Sequence, residues 1–171
     1  MESTLGSKLL IGETRAKMRA LPAGCVHCVA TSPPYWGLRD YGIPPVEWSD
    51  GSLAVFGLEK TPEEFITHAV EVFGDVRRIL RDDGVVFLNL GDSYNAGGRV
   101  GHGTREGHKQ GTNQGTVAAT DNERPNVPGL KDGDLMNMPH RVVEALQADG
   151  WYWRSTIVWA KRSPMPESIN G

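Results

Sequence analysis

Thr31-Ser32-Pro33-Pro34-Tyr35-Trp36 sets a hydroxyl, two rigid backbone carbonyls and an aromatic plane side by side. Proline fixes its own φ, biases the residue before it toward extended backbone and has no N–H, so Pro33-Pro34 makes a stiff segment that offers only acceptors. The Ser32 hydroxyl and the Pro33 carbonyl can each accept one hydrogen of a planar exocyclic NH2 group, while the Tyr35 ring lies against the face of the base that carries it. A bare Pro-Pro-Tyr also occurs in turns and as a ligand of proline-binding modules, so its meaning rests on the elements around it.

Those elements read as alternating strands and helices. Lys8–Glu13 has the look of a short strand, and a helical stretch from Thr14 to Leu21 is stopped by Pro22. Residues 25–31 form the strand that leads into the proline turn. A helix is predicted over 62–81: Thr61 and Glu64 make a capping box, Pro62 takes the first helical position, and Phe65, Ala69, Phe73, Val76 and Leu80 form one apolar stripe. Arg77, Arg78 and Arg81 suit its C-terminal end, which Gly84 closes. Val85-Val86-Phe87-Leu88 is an unbroken apolar run, the pattern of a strand covered on both faces. A second helix begins at Pro139 with Val142, Val143 and Leu146 inward, and Trp151, Trp153, Ile157 and Trp159 alternate as one face of a later strand, the tryptophans serving as core.

Strand, helix, strand in this order implies a parallel crossover and hence an α/β fold, Rossmann-like, with a doubly wound, mostly parallel sheet. Ligands in such sheets bind beyond the carboxyl ends of the strands. Ser32–Tyr35 and Gly91-Asp92 both fall at that edge. Gly91-Asp92 is not a dinucleotide fingerprint, because no G-x-G-x-x-G follows a strand, and Gly97-Gly98 and Gly101-x-Gly103 precede no helix.

The chain of 171 residues suits one domain, residues 1–171, with a long polar, glycine-rich loop at about 93–133. Its net charge of −3 does not advertise a nucleic-acid binder, although affinity follows a local basic face and not the total. No apolar run reaches the ~20 residues of a membrane span and Met1–Lys8 lacks a signal-peptide core, which implies a cytoplasmic protein with no membrane partner. Cys25 and Cys28 form a C-x-x-C around His27, but no second pair exists to close a zinc site, so both are expected to be small hydrophobes in a buried strand, with no metal bound.

Ser32-Pro33-Pro34-Tyr35 fills every position of the [D/N/S]-P-P-[Y/F/W] motif of the amino-methylating DNA methyltransferases, and the chain resembles that family over most of its length. Gly24–Ala30 resembles the strand before the motif. Trp36–Gly42, Leu88–Tyr94, Gly150-Trp151 and Pro164–Ser168 resemble later segments. The resemblance implies S-adenosylmethionine as methyl donor, double-stranded DNA as substrate, and Ser32, Pro33, Pro34 and Tyr35 as the catalytic residues acting on a flipped-out base. It places Glu13 and Thr31 on the cofactor side, and Trp36, Arg39, Arg99, Arg105 and Lys109 on the DNA side. A restriction endonuclease partner, a homodimer, and association with a C-terminal part all fit it.

The Ser form of the tetrapeptide is commoner among cytosine-N4 members, which favours that target over adenine N6. A non-catalytic DNA-binding remnant is the reading from another class. Relatives with an early catalytic tetrapeptide carry a Phe-x-Gly-x-Gly cofactor loop near the C-terminus, and none lies between Met1 and Gly171. These residues therefore read as the N-terminal catalytic part of a longer methyltransferase or one piece of a split enzyme, expected to bind S-adenosylmethionine weakly or not at all by themselves.

The loop at Ser93–Gly133 carries Arg99, His102, Arg105, His108, Lys109, Arg124 and Lys131 among glycine and polar residues, a composition suited to meeting phosphates. Limited proteolysis is expected to cut there first in the free protein, and added DNA to slow the cutting. Resistance without DNA would make it an ordered part of the domain.

Overall fold

The computed structural model describes residues 6–95, 127–131, 133–160 and 162. Its elements run α1 (Thr14–Arg19), β1 (Val26–Thr31), β2 (Val46–Glu47), β3 (Leu53–Ala54), α2 (Pro62–Ile79), β4 (Leu80–Leu88) and α3 (Met138–Ala148). The chain divides into two compact units, residues 1–31 with 71–88, and residues 32–70 with 89–171.

The first unit is built on the parallel pair β1 and β4, in register from Cys28↔Val85 to Thr31↔Leu88, with an irregularity between Val26 and Cys28 where the partner jumps from Leu80 to Val85. Parallel neighbours need a long crossover, and the connection contains α2, as an α/β fold requires. α1 is fastened to Glu71–Ile79 of α2 by charge. Buried Arg15 reaches Glu71 at 2.6 Å, Arg19 reaches Asp75 at 2.9 Å, and the Arg78 guanidinium donates to the Met18 and Leu21 carbonyls at 2.6 and 3.0 Å.

The second unit folds around Trp48, Phe65, Ala69, Met136, Met138, Val142 and Leu146, all buried. β2 and β3 form a short antiparallel hairpin, and Phe56 stacks on Phe65 with centroids 5.1 Å apart. Thr61 caps the start of α2 as its sequence predicts, Oγ1 accepting from Glu64 N at 3.1 Å, but the returning Glu64 carboxylate takes the N–H of Lys60 at 3.0 Å, one residue before the one a capping box uses. α3 starts from Asn137, in the left-handed region at φ 56°, and Asp92 Oδ1 accepts the Met138 N–H at 2.9 Å. Arg141 of α3 meets Glu63 of α2 at 2.6 Å.

Several sequence expectations change. Lys8–Glu13 is not a strand, and Leu9 and Ile11 are exposed. Residues 151–160 form no described strand either, and Trp159 is 79% exposed. Alternation supplies a strand's face but not its ladder, and no described strand pairs with these residues. Cys25 and Cys28 are exposed rather than buried, and Val85 and Phe87 are 50% and 56% exposed, so the run in β4 is covered on alternate residues only. β1 and β4 pair with each other alone among the described residues, and a pair so small leaves a face open.

α2 ends at Ile79, before Gly84. Gly84 lies instead in the irregular start of β4, where a Cβ would come 2.9 Å from the Arg81 carbonyl oxygen. The expected loop at 93–133 falls largely on residues 96–126, outside the described ones, as do Pro164–Ser168. Its two ends are fixed. Buried Asn95 donates to the Leu130 and Lys131 carbonyls, accepts from Val127 N, and exchanges backbone bonds with Asp134 and Gly133.

Glu13 is the N-cap of α1. Partial burial opposes its ionisation, but the N–H groups of Ala16 and Arg15 and the Arg15 guanidinium outweigh that and hold its carboxyl below the ordinary 4.5. A depressed folded-state value makes the cap complete above about pH 4.5, its unfolded value, and lost as pH falls through the lower folded one. Amide protection at Arg15 and Ala16 should therefore hold from neutral pH down to that point and decline below it, and Glu13→Gln should flatten the profile. Protection in the wild type that ignores pH would remove the carboxylate from the cap.

Candidate active site

β1 hands the chain to Ser32 and β4 hands it to Asn89, and within the second unit these two segments meet. Ser32 Oγ and Tyr35 Oη are 3.0 Å apart, and the Asn89 Nδ2 group donates to Tyr35 Oη at 3.1 Å and more weakly to Ser32 Oγ at 3.4 Å. The Tyr35 ring rests on Gly91, where a Cβ would lie 2.7 Å from the ring carbon Cε2. Glycine there is a requirement of close approach. Ser32, Pro33 and Tyr35 share an open cleft of about 180 Å³ with Leu38, Arg39 and Tyr41. The Arg39 guanidinium stands 5.9 Å from the Tyr41 ring centroid.

Behind the proline turn lies a buried polar network. Trp36 donates its ring N–H to the Glu59 carbonyl at 3.0 Å, and Gly37 N donates to the Gly57 carbonyl at 2.7 Å. The Glu59 carboxylate accepts from Gly57 N at 2.9 Å through Oε2 and meets His68 Nδ1 at 3.0 Å through Oε1. His68 Nε2 lies 3.1 Å from Ser52 Oγ and 3.4 Å from Asp50 Oδ2, and its ring stacks on Trp48 with centroids 3.9 Å apart and planes 8° from parallel. Burial pushes the Glu59 carboxyl above its ordinary value, against the opposing pull of His68 and of the N–H groups of Glu59 and Gly57.

The expected catalytic residues Ser32, Pro33 and Tyr35 are brought to one cleft, with Pro34 packed close enough to Gly57 that a Cβ there would lie 2.7 Å from its own. Arg39 lines the same cleft. Trp36, expected on the DNA side, is 5% exposed, with its ring N–H donated to the Glu59 carbonyl. On the cofactor side, Glu13 has both carboxylate oxygens engaged by the start of α1, and Thr31 is the last residue of β1, paired with Leu88. Arg99, Arg105 and Lys109 lie outside the described residues. No group of three His, Cys, Asp or Glu side chains among the described residues is placed to hold a metal, and no described helix is long and apolar enough to cross a membrane.

Sequence reasoning missed Asn89 and the Glu59–His68 pair. Asn89 was within reach, because it opens the turn after an apolar run that ends at the same sheet edge as Ser32. Glu59 and His68 gave no signal, since a lone acid before a helix cap and a lone histidine on an apolar face each read as ordinary.

The chain matches the family model described as DNA methylase over residues 26–171. It is 46% identical over 165 residues to the Type II methyltransferase M.XycI of Xanthomonas campestris pv. cyanopsidis, a match covering 96% of this chain and 49% of that protein. It is 44% identical to the Type II methyltransferase M.Cfr9I of Citrobacter freundii, again over 96% of this chain and 49% of the relative. With the Type II methyltransferase M.SmaI of Serratia marcescens the identity is 42%, over 99% of this chain and 53% of the relative. The chain thus spans about half the length of these curated relatives. No solved structure is matched significantly.

The contact between Gly91 and Tyr35 can be read without any activity. Gly91→Ala should displace the Tyr35 ring, shifting its ring-proton resonances in an NMR spectrum assigned with Tyr35→Phe, and a ring that keeps its shifts would show that it does not rest on Gly91.

Proposed function

Because this chain belongs to the N6/N4 DNA methylase family, we propose that it presents the exocyclic N4 amine of a flipped-out cytosine in double-stranded DNA for methylation. The observation that carries this reading is the cluster of Ser32, Tyr35 and Asn89 at the mouth of the cleft.

An exocyclic amine is a weak nucleophile, since its lone pair is delocalised into the ring. Ser32 Oγ and the Pro33 carbonyl each take one amine hydrogen, which aims the lone pair outward and stabilises the positive charge that develops on nitrogen. A serine hydroxyl has one hydrogen and two acceptor positions. The Ser32–Tyr35 contact can run in either direction; when Ser32 gives its hydrogen to Tyr35 Oη and turns one acceptor position to Asn89 Nδ2, the second position is left for the amine. Tyr35 stacks on the extruded base, an interaction worth about 1–3 kcal/mol, which offsets part of the unstacking cost. Arg39, on the wall of the cleft, supplies a cation for the backbone of the displaced nucleotide.

S-adenosylmethionine is the methyl donor the family implies. The described residues do not form a cradle for it: the glycine after β4 is covered by the Tyr35 ring, the turn after β1 has two prolines, and Glu13 is committed to its helix cap. This part of the enzyme holds the acceptor amine, and no step is assigned to it at the donor. The likeness to Type II methyltransferases supports a cytoplasmic role beside a restriction endonuclease, protecting the host's own recognition sites.

Labelled S-adenosylmethionine, double-stranded DNA and the full-length enzyme, followed by digestion to nucleosides, should give N4-methylcytosine. Label in N6-methyladenine would move the target to adenine, and no transfer would favour a DNA-binding remnant. Tyr35→Ala should lower transfer about 10- to 100-fold, the loss of one stacking contact, with the thermal midpoint nearly unchanged.

A further inference from the structure

We propose that Glu59 is a positioning residue for the amine-binding turn, holding Pro34–Gly37 in place through Gly57 and Trp36. The inference rests on the methyl-transfer reading of that turn and adds a residue that touches neither base nor donor.

The Glu59 side chain is fully buried and that of His68 is 1% exposed. A carboxylate in such a place is unfavourable unless its oxygens are met by donors, and stability alone does not ask for it, because apolar side chains of similar volume commonly serve as well or better. What a leucine could not supply is an acceptor for the Gly57 N–H. Gly57 sits at φ +94°, a conformation only glycine adopts readily, and a Cβ on it would fall 2.7 Å from Pro34 Cβ. Its carbonyl receives the Gly37 N–H at 2.7 Å.

The main-chain carbonyl of Glu59 itself receives the Trp36 ring N–H at 3.0 Å. Glu59 therefore grips the proline turn at two points, one by side chain through Gly57 and one by backbone. His68 fixes the carboxylate in turn. It is held on its other nitrogen by Ser52 and Asp50 and on its ring face by Trp48. Amine methylation by alignment tolerates little displacement of the two acceptors, so a turn that drifts loses rate before it loses affinity for DNA.

The test uses full-length enzyme carrying Glu59→Ala, Glu59→Gln or Trp36→Phe, with steady-state methylation, thermal melting and amide exchange at Gly37 and Gly57. Glu59→Ala should lower kcat at least tenfold with KM for DNA within twofold, and should speed exchange at both amides at least tenfold. Glu59→Gln should restore most of both, because its amide oxygen can take the Gly57 N–H while its NH2 donates to His68 Nδ1 in the other tautomer. Trp36→Phe removes one ring N–H and should lower kcat in the same direction, which decides the matter if Glu59→Ala does not melt cooperatively. Unchanged kcat and exchange in Glu59→Ala, or Glu59→Gln as defective as Glu59→Ala, would overturn the proposal. A wild-type enzyme that transfers no methyl group counts against the methyl-transfer reading alone, and amide exchange then decides whether Glu59 holds the turn.

Discussion

A carboxylate taken out of water must be met by donors, and in this protein that demand organises the unit that holds the cleft. Glu59 answers it with the N–H of Gly57 and a ring nitrogen of His68. Neither partner could serve without further constraints. Gly57 has to adopt a backbone conformation that brings it against Pro34, and His68 has to stand on one face of α2 where Trp48 can cover it. Leaving a buried donor or acceptor without its partner typically costs about 1–3 kcal/mol, a large share of a domain's stability. The hairpin of β2 and β3, the start of α2 and the turn at Ser32–Trp36 are thereby made into one packing problem.

The turn itself contributes stiffness of another kind. Pro33 and Pro34 restrict the backbone before any tertiary contact forms, and tertiary contacts then fix where the stiff piece points. Tyr35 is placed by a surface with no side chain, Gly91, by a hydrogen bond from Asn89 and by one shared with Ser32. An arrangement that works by alignment needs both: rigidity within the segment, and a rigid seat beneath it.

What the sequence made legible follows from where its constraints are local. Pro33-Pro34 restricts its own geometry, Thr61 and Glu64 cap their own helix, and Val142 and Leu146 recur at helical spacing, so each could be read in place. β1, α2 and β4 followed from the same local patterns. Partnerships were harder. The C-x-x-C at Cys25 and the alternation from Trp151 to Trp159 show which residues could share a face, yet whether that face is covered depends on a neighbouring strand that local sequence does not name. Val85–Leu88 was misjudged for that reason. Glu59 and His68 escaped because their meaning lies in their pairing, and neither residue type announces it. Trp36, expected on the DNA side, gave no sign in the sequence that its ring N–H is spent inside on the Glu59 carbonyl.

Asn95 carries a consequence for how such a protein can change. By tying Ser93–Asn95 to Val127–Met136 through side-chain and main-chain bonds, it brings the two ends of the intervening segment to one spot and closes the domain there. The bonds of a single side chain and its backbone thus hold together two stretches far apart in the sequence. The junction works as a clasp beside Asp92 and the start of α3, so a change at Asn95 alone would loosen both stretches at once.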